Sequence, residues 1–236
     1  PILSTIETGM VNLRSFMKKN IYVSFALNLA IFLLMIFAIS CELFDFHFMT
    51  DGTFLEKPDF STFKYFTTDS NIFAGIVSGI FAIFELLVIC KKKANLPKAL
   101  FPLKLAGTIG VTLTMLVTVF YLAPKSDFGY FHLFKNANFF LHFFIPTLYL
   151  ISFLIFERND EISFKFTFIS LIPTFVYVIF YTLNVLLHLE NGKTTYDYDL
   201  YGFLDGGIGF AFFVLPFMLI FAYGISFVLW KINKNA

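Results

Sequence analysis

Asn138-Phe-Phe-Leu-His142-Phe-Phe-Ile-Pro146 opens an apolar run that continues to Phe156. About 20 mainly apolar residues are enough to cross a bilayer as a helix, and this run has that length. A titratable ring inside such a segment is rare, because hydrocarbon offers it no water and its hydrogen bonds must come from protein or a wet cavity. His142 therefore decides two things together: the chain is membrane-embedded, and something beside this ring is polar.

Composition agrees. Of 236 residues, 58% are hydrophobic and 14% charged, and the mean hydropathy is +0.79, whereas soluble domains average about 25% charged. The net charge of +1 lacks the basic footprint of a nucleic-acid binder, so nucleic acid is not expected as a partner. The 37 phenylalanines recur in every apolar run and read as lipid-facing and packing rings. Six stretches, 22–41, 66–90, 101–123, 138–156, 166–187 and 206–230, are long enough to span. The expected fold is an all-α integral membrane protein, a six-transmembrane-helix bundle. Residues 1–20 form a cytoplasmic N-terminal segment, 21–230 the transmembrane domain and 231–236 a cytoplasmic tail. No cleavable signal pattern follows Arg14, Lys18 and Lys19, so the first span reads as a retained anchor.

Basic residues set the orientation. Arg14, Lys18, Lys19, Lys91, Lys92, Lys93, Lys98, Lys104, Arg158, Lys165, Lys231 and Lys234 fall on one side, against Lys57, Lys64, Lys125, Lys135 and Lys193 on the other. Both termini are thus expected in the cytoplasm, with acidic, aromatic connections outside. Cys41 and Cys90 lie about 30 Å apart across a membrane thickness, beyond disulfide reach. No Cys/His cluster, H-E-x-x-H, G-x-S-x-G or phosphate-binding glycine loop is present, so neither a metal nor a cofactor is expected.

Polar residues then mark interior faces, since positions three and four apart share one face of a helix. The second span carries Thr67, Ser70, Asn71, Ala74 and Ser78 after Tyr65, with the carboxylate of Asp69 beside them. The fourth carries Asn138, His142, Pro146 and Tyr149, and Asn138 is placed to hydrogen-bond the imidazole one turn away. The fifth carries Tyr177, Tyr181, Asn184 and His188, and the sixth opens at Asp205 after the aromatic, acidic loop from Tyr196 to Gly202. Thr67, His142 and Asn184 lie at similar depths near the outer ends of their spans, which implies a polar pocket under an aromatic lid. Glu85, about 27 Å inward of Thr67 at about 1.5 Å per residue, is expected to pair with Lys104 or a lysine of the 91–93 run. A hydroxyl and an imidazole in one pocket suit nucleophilic acyl transfer, the histidine taking the hydroxyl proton as the oxygen attacks a carbonyl.

The segments Tyr65-Phe-Thr67-Thr-Asp69-Ser70-Asn71, Asn138-x-x-x-His142 with Pro146, and Tyr201-Gly-Phe203 resemble the androgen-induced-gene and androgen-dependent TFPI-regulating protein family and its bacterial relatives. The resemblance covers the second to the sixth span. It implies a multi-span hydrolase of fatty acid esters of hydroxy fatty acids, with Thr67 as nucleophile and His142 as base. The chain departs from the animal members in having Phe143 after the histidine and Pro146 one residue sooner, while Asp69, Ser70 and Asn71 match the bacterial branch. The expectations carried forward are a lipid or fatty acyl ester substrate and residence in a bacterial plasma membrane. Asp69, Ser70, Asn71, Asn138, Tyr181, Asn184, His188 and Asp205 are the expected supporting residues. Two other readings stay open: a small-ligand binding or transport subunit using Asp69, His142, Asn184, His188 and Asp205 under a lid of Tyr196, Tyr198 and Tyr201, and an assembly protein whose polar stripes only fix packing.

Overall fold

A computed structural model describes residues 2–157, 163–195, 197–204 and 208–235, with backbone alone at 2–20, 208, 210–212, 215 and 235. Six helices in it are long and apolar enough to cross a membrane: α1 (Ile21–Leu43), α2 (Phe66–Ile89), α3 (Leu100–Lys125), α4 (Ala137–Phe156), α5 (Phe166–Leu187) and α6 (Pro216–Lys234). The helical backbone of α1 extends back to Ile2 and that of α6 runs from Ile208 to Asn235, so the N-terminal segment continues the first helix. No strand occurs among the described residues.

Helix α3 is the hub. Every residue from Lys104 to Thr114 is buried, and α3 packs on α2, α4, α5 and α6 while α1 packs most extensively on α2. Small residues let these backbones approach, the usual device where lipid supplies no hydrophobic drive between helices. A side chain at Gly75 would strike Met35 of α1, and one at Gly107 would come within 2.9 Å of the Tyr149 ring. Outward faces are correspondingly apolar, with Phe180, Phe217 and Ile220 each about two-thirds exposed to what would be lipid.

At the Glu85 end of the bundle a cluster of polar side chains is shut away from solvent. The Lys104 ammonium, wholly buried, donates to Asn28 of α1, to Ser78 of α2 at 3.1 Å and to Glu157, beyond α4, at 3.1 Å. It also lies 4.0 Å from the Tyr149 ring centroid. Three protons meet three acceptors, which is all an ammonium can offer. The Asn28 amide bridges the two carboxylates, 3.2 Å from Glu85 and 2.7 Å from Glu157, and Ser152 adds 2.6 Å to Glu157. The ion pair is thus Lys104 with Glu157, and Glu85 joins through Asn28. Lys104 belongs to this core and not to the basic rim that its place in the sequence suggests.

Helix α4 alternates α-helical and π-helical turns, with π turns at Phe140–Phe144 and Ser152–Phe156. In the first, the Ile145 N–H bonds Phe140 O. The next bond of that register would need an N–H at Pro146, which has none. The Leu141 carbonyl so released accepts from Asn71 Nδ2 of α2 at 2.9 Å. Proline and asparagine together hold open a turn of the kind often found at functional sites. Asn71→Ala leaves that buried carbonyl unpaired and is expected to lower stability by about 1–3 kcal/mol, read from thermal unfolding in detergent. Adding Pro146→Ala restores an N–H to the same carbonyl and should recover part of the loss.

Candidate functional site

Thr67 stands in the first turn of α2, and its backbone is fixed from below. Its carbonyl accepts from Asn71 Nδ2 at 2.7 Å and from Ser70 Oγ at 3.2 Å. Neighbouring hydroxyls are already committed: Thr68 Oγ1 lies 3.2 Å from Thr62 Oγ1 of the preceding turn, and Ser70 Oγ lies 3.0 Å from Thr114 Oγ1 of α3. The Thr67 hydroxyl has no protein partner among the described residues, and the residue borders a polar hollow of about 750 Å³. Of the polar side chains at the head of α2, it is the one left available on that hollow.

His142 borders the same hollow. The residue is buried, set in the π turn that Asn71 pins one residue away, and its Nδ1 lies 2.8 Å from the carbonyl oxygen of Leu133. A carbonyl can only accept, so Nδ1 carries the proton and Nε2 is left with its lone pair. Leu133 lies on a 3-10 turn, Tyr130–Phe134, and takes the orienting role that the sequence assigned to Asn138. Asn138 does line the hollow beside the ring.

Tyr201 closes the hollow from the α5–α6 loop. Its hydroxyl oxygen accepts from the Phe66 N–H at 2.7 Å, serving as the cap of a helix whose N-cap residue, Tyr65, makes no side-chain capping bond. Burial pushes the phenol up to about 12, above its ordinary value of 10, so it stays protonated across physiological pH. The loop itself is held by Asp199, 3% exposed, which accepts from the Phe203 and Leu204 N–H groups at 3.0 and 2.9 Å and from the Tyr181 hydroxyl. Thr67, Leu122 and Tyr201 form a shared wall between the hollow and a largely apolar slot lined by Leu113, Val117, Val214 and Met218.

The expected supporting residues divide. Asn138 lies in the hollow, whereas Ser70 and Asn71 hold the scaffold. Tyr181 directs its hydroxyl to Asp199 and borders the apolar slot. Asp69 and Asn184 line a separate recess between α2 and α5. His188 is exposed, bonded by Nδ1 to the Asn184 carbonyl at 2.8 Å and stacked on Tyr198 at 3.8 Å. Asp205 and Tyr196 lie outside the described residues. Sequence reasoning gave Tyr201 only a lid role in the small-ligand reading and passed over Asp199 and the Leu133 carbonyl. The first two carried a signal in the aromatic, acidic loop, but a backbone acceptor carries none. No group of three or more metal-ligating side chains occurs among the described residues. Comparison of the chain with protein-family models, curated proteins and solved structures finds no match.

Proposed function

We propose that the protein is an intramembrane hydrolase of lipid acyl esters, with Thr67 as nucleophile and His142 as general base. The observation that carries this reading is the shared hollow: the uncommitted hydroxyl of Thr67 and the imidazole whose Nε2 is left unprotonated both border it. In the forward step His142 Nε2 takes the Thr67 proton while Oγ1 attacks the ester carbonyl, and the same proton returns to the departing alcohol. Water, activated by the same nitrogen, then releases the acid from the acyl-threonine. Tyr201, still protonated and on the wall beside Thr67, supplies a hydrogen bond to the oxyanion. The hollow, about 750 Å³, has room for an ester, while the apolar slot behind that wall, about 50 Å³, has room only for the first methylenes beside the carbonyl; esters of hydroxy fatty acids are the substrate class that the family resemblance implies.

The balance of basic residues supports both termini in the cytoplasm and the hollow at the outer face; residence in a bacterial plasma membrane rests on the resemblance to the bacterial branch. Removing Lys104 from that count, because it is buried, leaves the asymmetry intact. The small-ligand transport reading gains less, since Asp69, Asn184 and His188 are not gathered with His142.

The test is labelling of the purified protein by a lipid-like fluorophosphonate. Labelling is expected in the parent chain and absent in Thr67→Ala, with unfolding temperature unchanged. Full labelling of Thr67→Ala would place the nucleophile elsewhere.

A further inference from the structure

The recess between α2 and α5 encloses about 610 Å³ and shares neither Thr67 nor His142 with the hollow. Its upper wall carries Asp69 and Asn184, three residues inside the ends of their spans, Phe66 and Leu187. Each therefore sits about 4.5 Å inside the end of its span at about 1.5 Å per residue. The Asp69 carboxylate has no hydrogen bond or ion pair among the described residues, and the Asn184 side-chain amide has none either. Lys64, the one cation on the lining, lies 5.5 Å from the Tyr65 ring centroid and makes no ion pair with Asp69. Exposure at this depth means exposure toward lipid, where a lone carboxylate needs a partner.

Below that polar rim the recess turns apolar. Phe73 and Phe180 form its flanks, and Ala106 and Gly110, one turn apart on α3, form a floor of small residues. From Asn184 down to Pro173 it runs eleven residues along α5, about 16 Å at about 1.5 Å each, the reach of a chain of about a dozen methylenes. Charge at the top and a narrow apolar trough beneath it describe the complement of one kind of molecule.

We propose that this recess binds a single-chain amphiphile with an ammonium head, the amine between Asp69 and Asn184 and the chain lying over Ala106 and Gly110. Beside Asp69 a fatty acid's carboxylate would meet like charge, Lys64 on the same lining being held over the Tyr65 ring, and the depth selects against lipids whose amine stands beyond a phosphate. The recess borders the apolar slot at Phe66, Thr174, Tyr177 and Tyr181 but includes neither Thr67 nor His142.

The experiment measures equilibrium binding of radiolabelled dodecylamine to the full chain in phosphatidylcholine nanodiscs, with empty discs subtracted and dodecanol and dodecanoate as competitors. One amine per chain is expected, held about tenfold more tightly than the alcohol, as one charge-assisted contact gives, with the acid weakest. Asp69→Asn should erase that tenfold preference while dodecanol competes as before, and Asn184→Leu should weaken the amine severalfold. Thr67→Ala should leave binding unchanged, which separates this site from the hydrolase reading. Amine binding that persists undiminished in Asp69→Asn, or dodecanoate competing as well as the amine, overturns the assignment.

Discussion

Lys104→Met is expected to destabilise the protein by about 3–5 kcal/mol, the usual cost of stranding one member of a buried ion pair. The methionine fills a similar volume, so the loss is electrostatic and not a cavity effect. Without the ammonium, Glu157 keeps Asn28 and Ser152 as its side-chain partners among the described residues, and Glu85 loses the positive charge of Lys104 while remaining 1% exposed. The consequence is larger than one contact because α1, α2, α3 and the end of α4 all meet at this ammonium, and Asn233 of α6 donates to the Glu157 carbonyl at 3.3 Å. Adding Glu157→Gln to Lys104→Met removes the orphaned charge and should recover most of the stability, as paired replacements of buried ions often do. Reversible unfolding in mixed micelles reads both. A single variant within about 1 kcal/mol of the parent would mean that water reaches the cluster and screens it.

The contrast between this cluster and the six spans shows what the residue pattern does and does not specify. A span is a local property, twenty apolar residues in a row, and the helices lie where the runs lie; the one from Ala137 to Phe156 is the clearest case. The face of α2 bearing Thr67, Ser70, Asn71 and Ser78 was equally legible, because helical spacing puts those residues on one side whatever their neighbours are. Which helix that side meets is a tertiary fact. Glu85 pairs through Asn28 with a lysine and a second glutamate contributed by three further segments, and no spacing along the chain links the four. The same limit separates Asn184 and His188 from His142. Their spacing puts them on one stripe of α5, and α5 turns that stripe toward the α2 recess and the surface. Depth was the shared feature, and equal depth does not bring residues together. Pro146 was visible in the sequence from the outset. Its effect, a carbonyl freed for Asn71, appears only once α2 and α4 lie side by side.

The largest effect on turnover belongs to the pair on the hollow. Thr67→Ala and His142→Ala should each lower kcat on a long-chain acyl ester by about 10²–10⁴-fold, the usual range for loss of general-base assistance, and by more where the nucleophile itself is removed. The informative measurement is the double variant. If the hydroxyl and the imidazole act as one unit, removing the second after the first costs almost nothing further, as nucleophile and base in other hydrolases behave. Independent contributions would instead multiply. His142→Gln refines the point, because an amide can still donate to the Leu133 carbonyl and keep the π turn packed, yet it has no basic nitrogen to offer Thr67. It should fold like the parent and turn over like His142→Ala. Parent-like kcat in His142→Gln would mean that the ring only packs against Leu133 and that proton transfer runs through another group on the hollow, with the His132 imidazole the first to test.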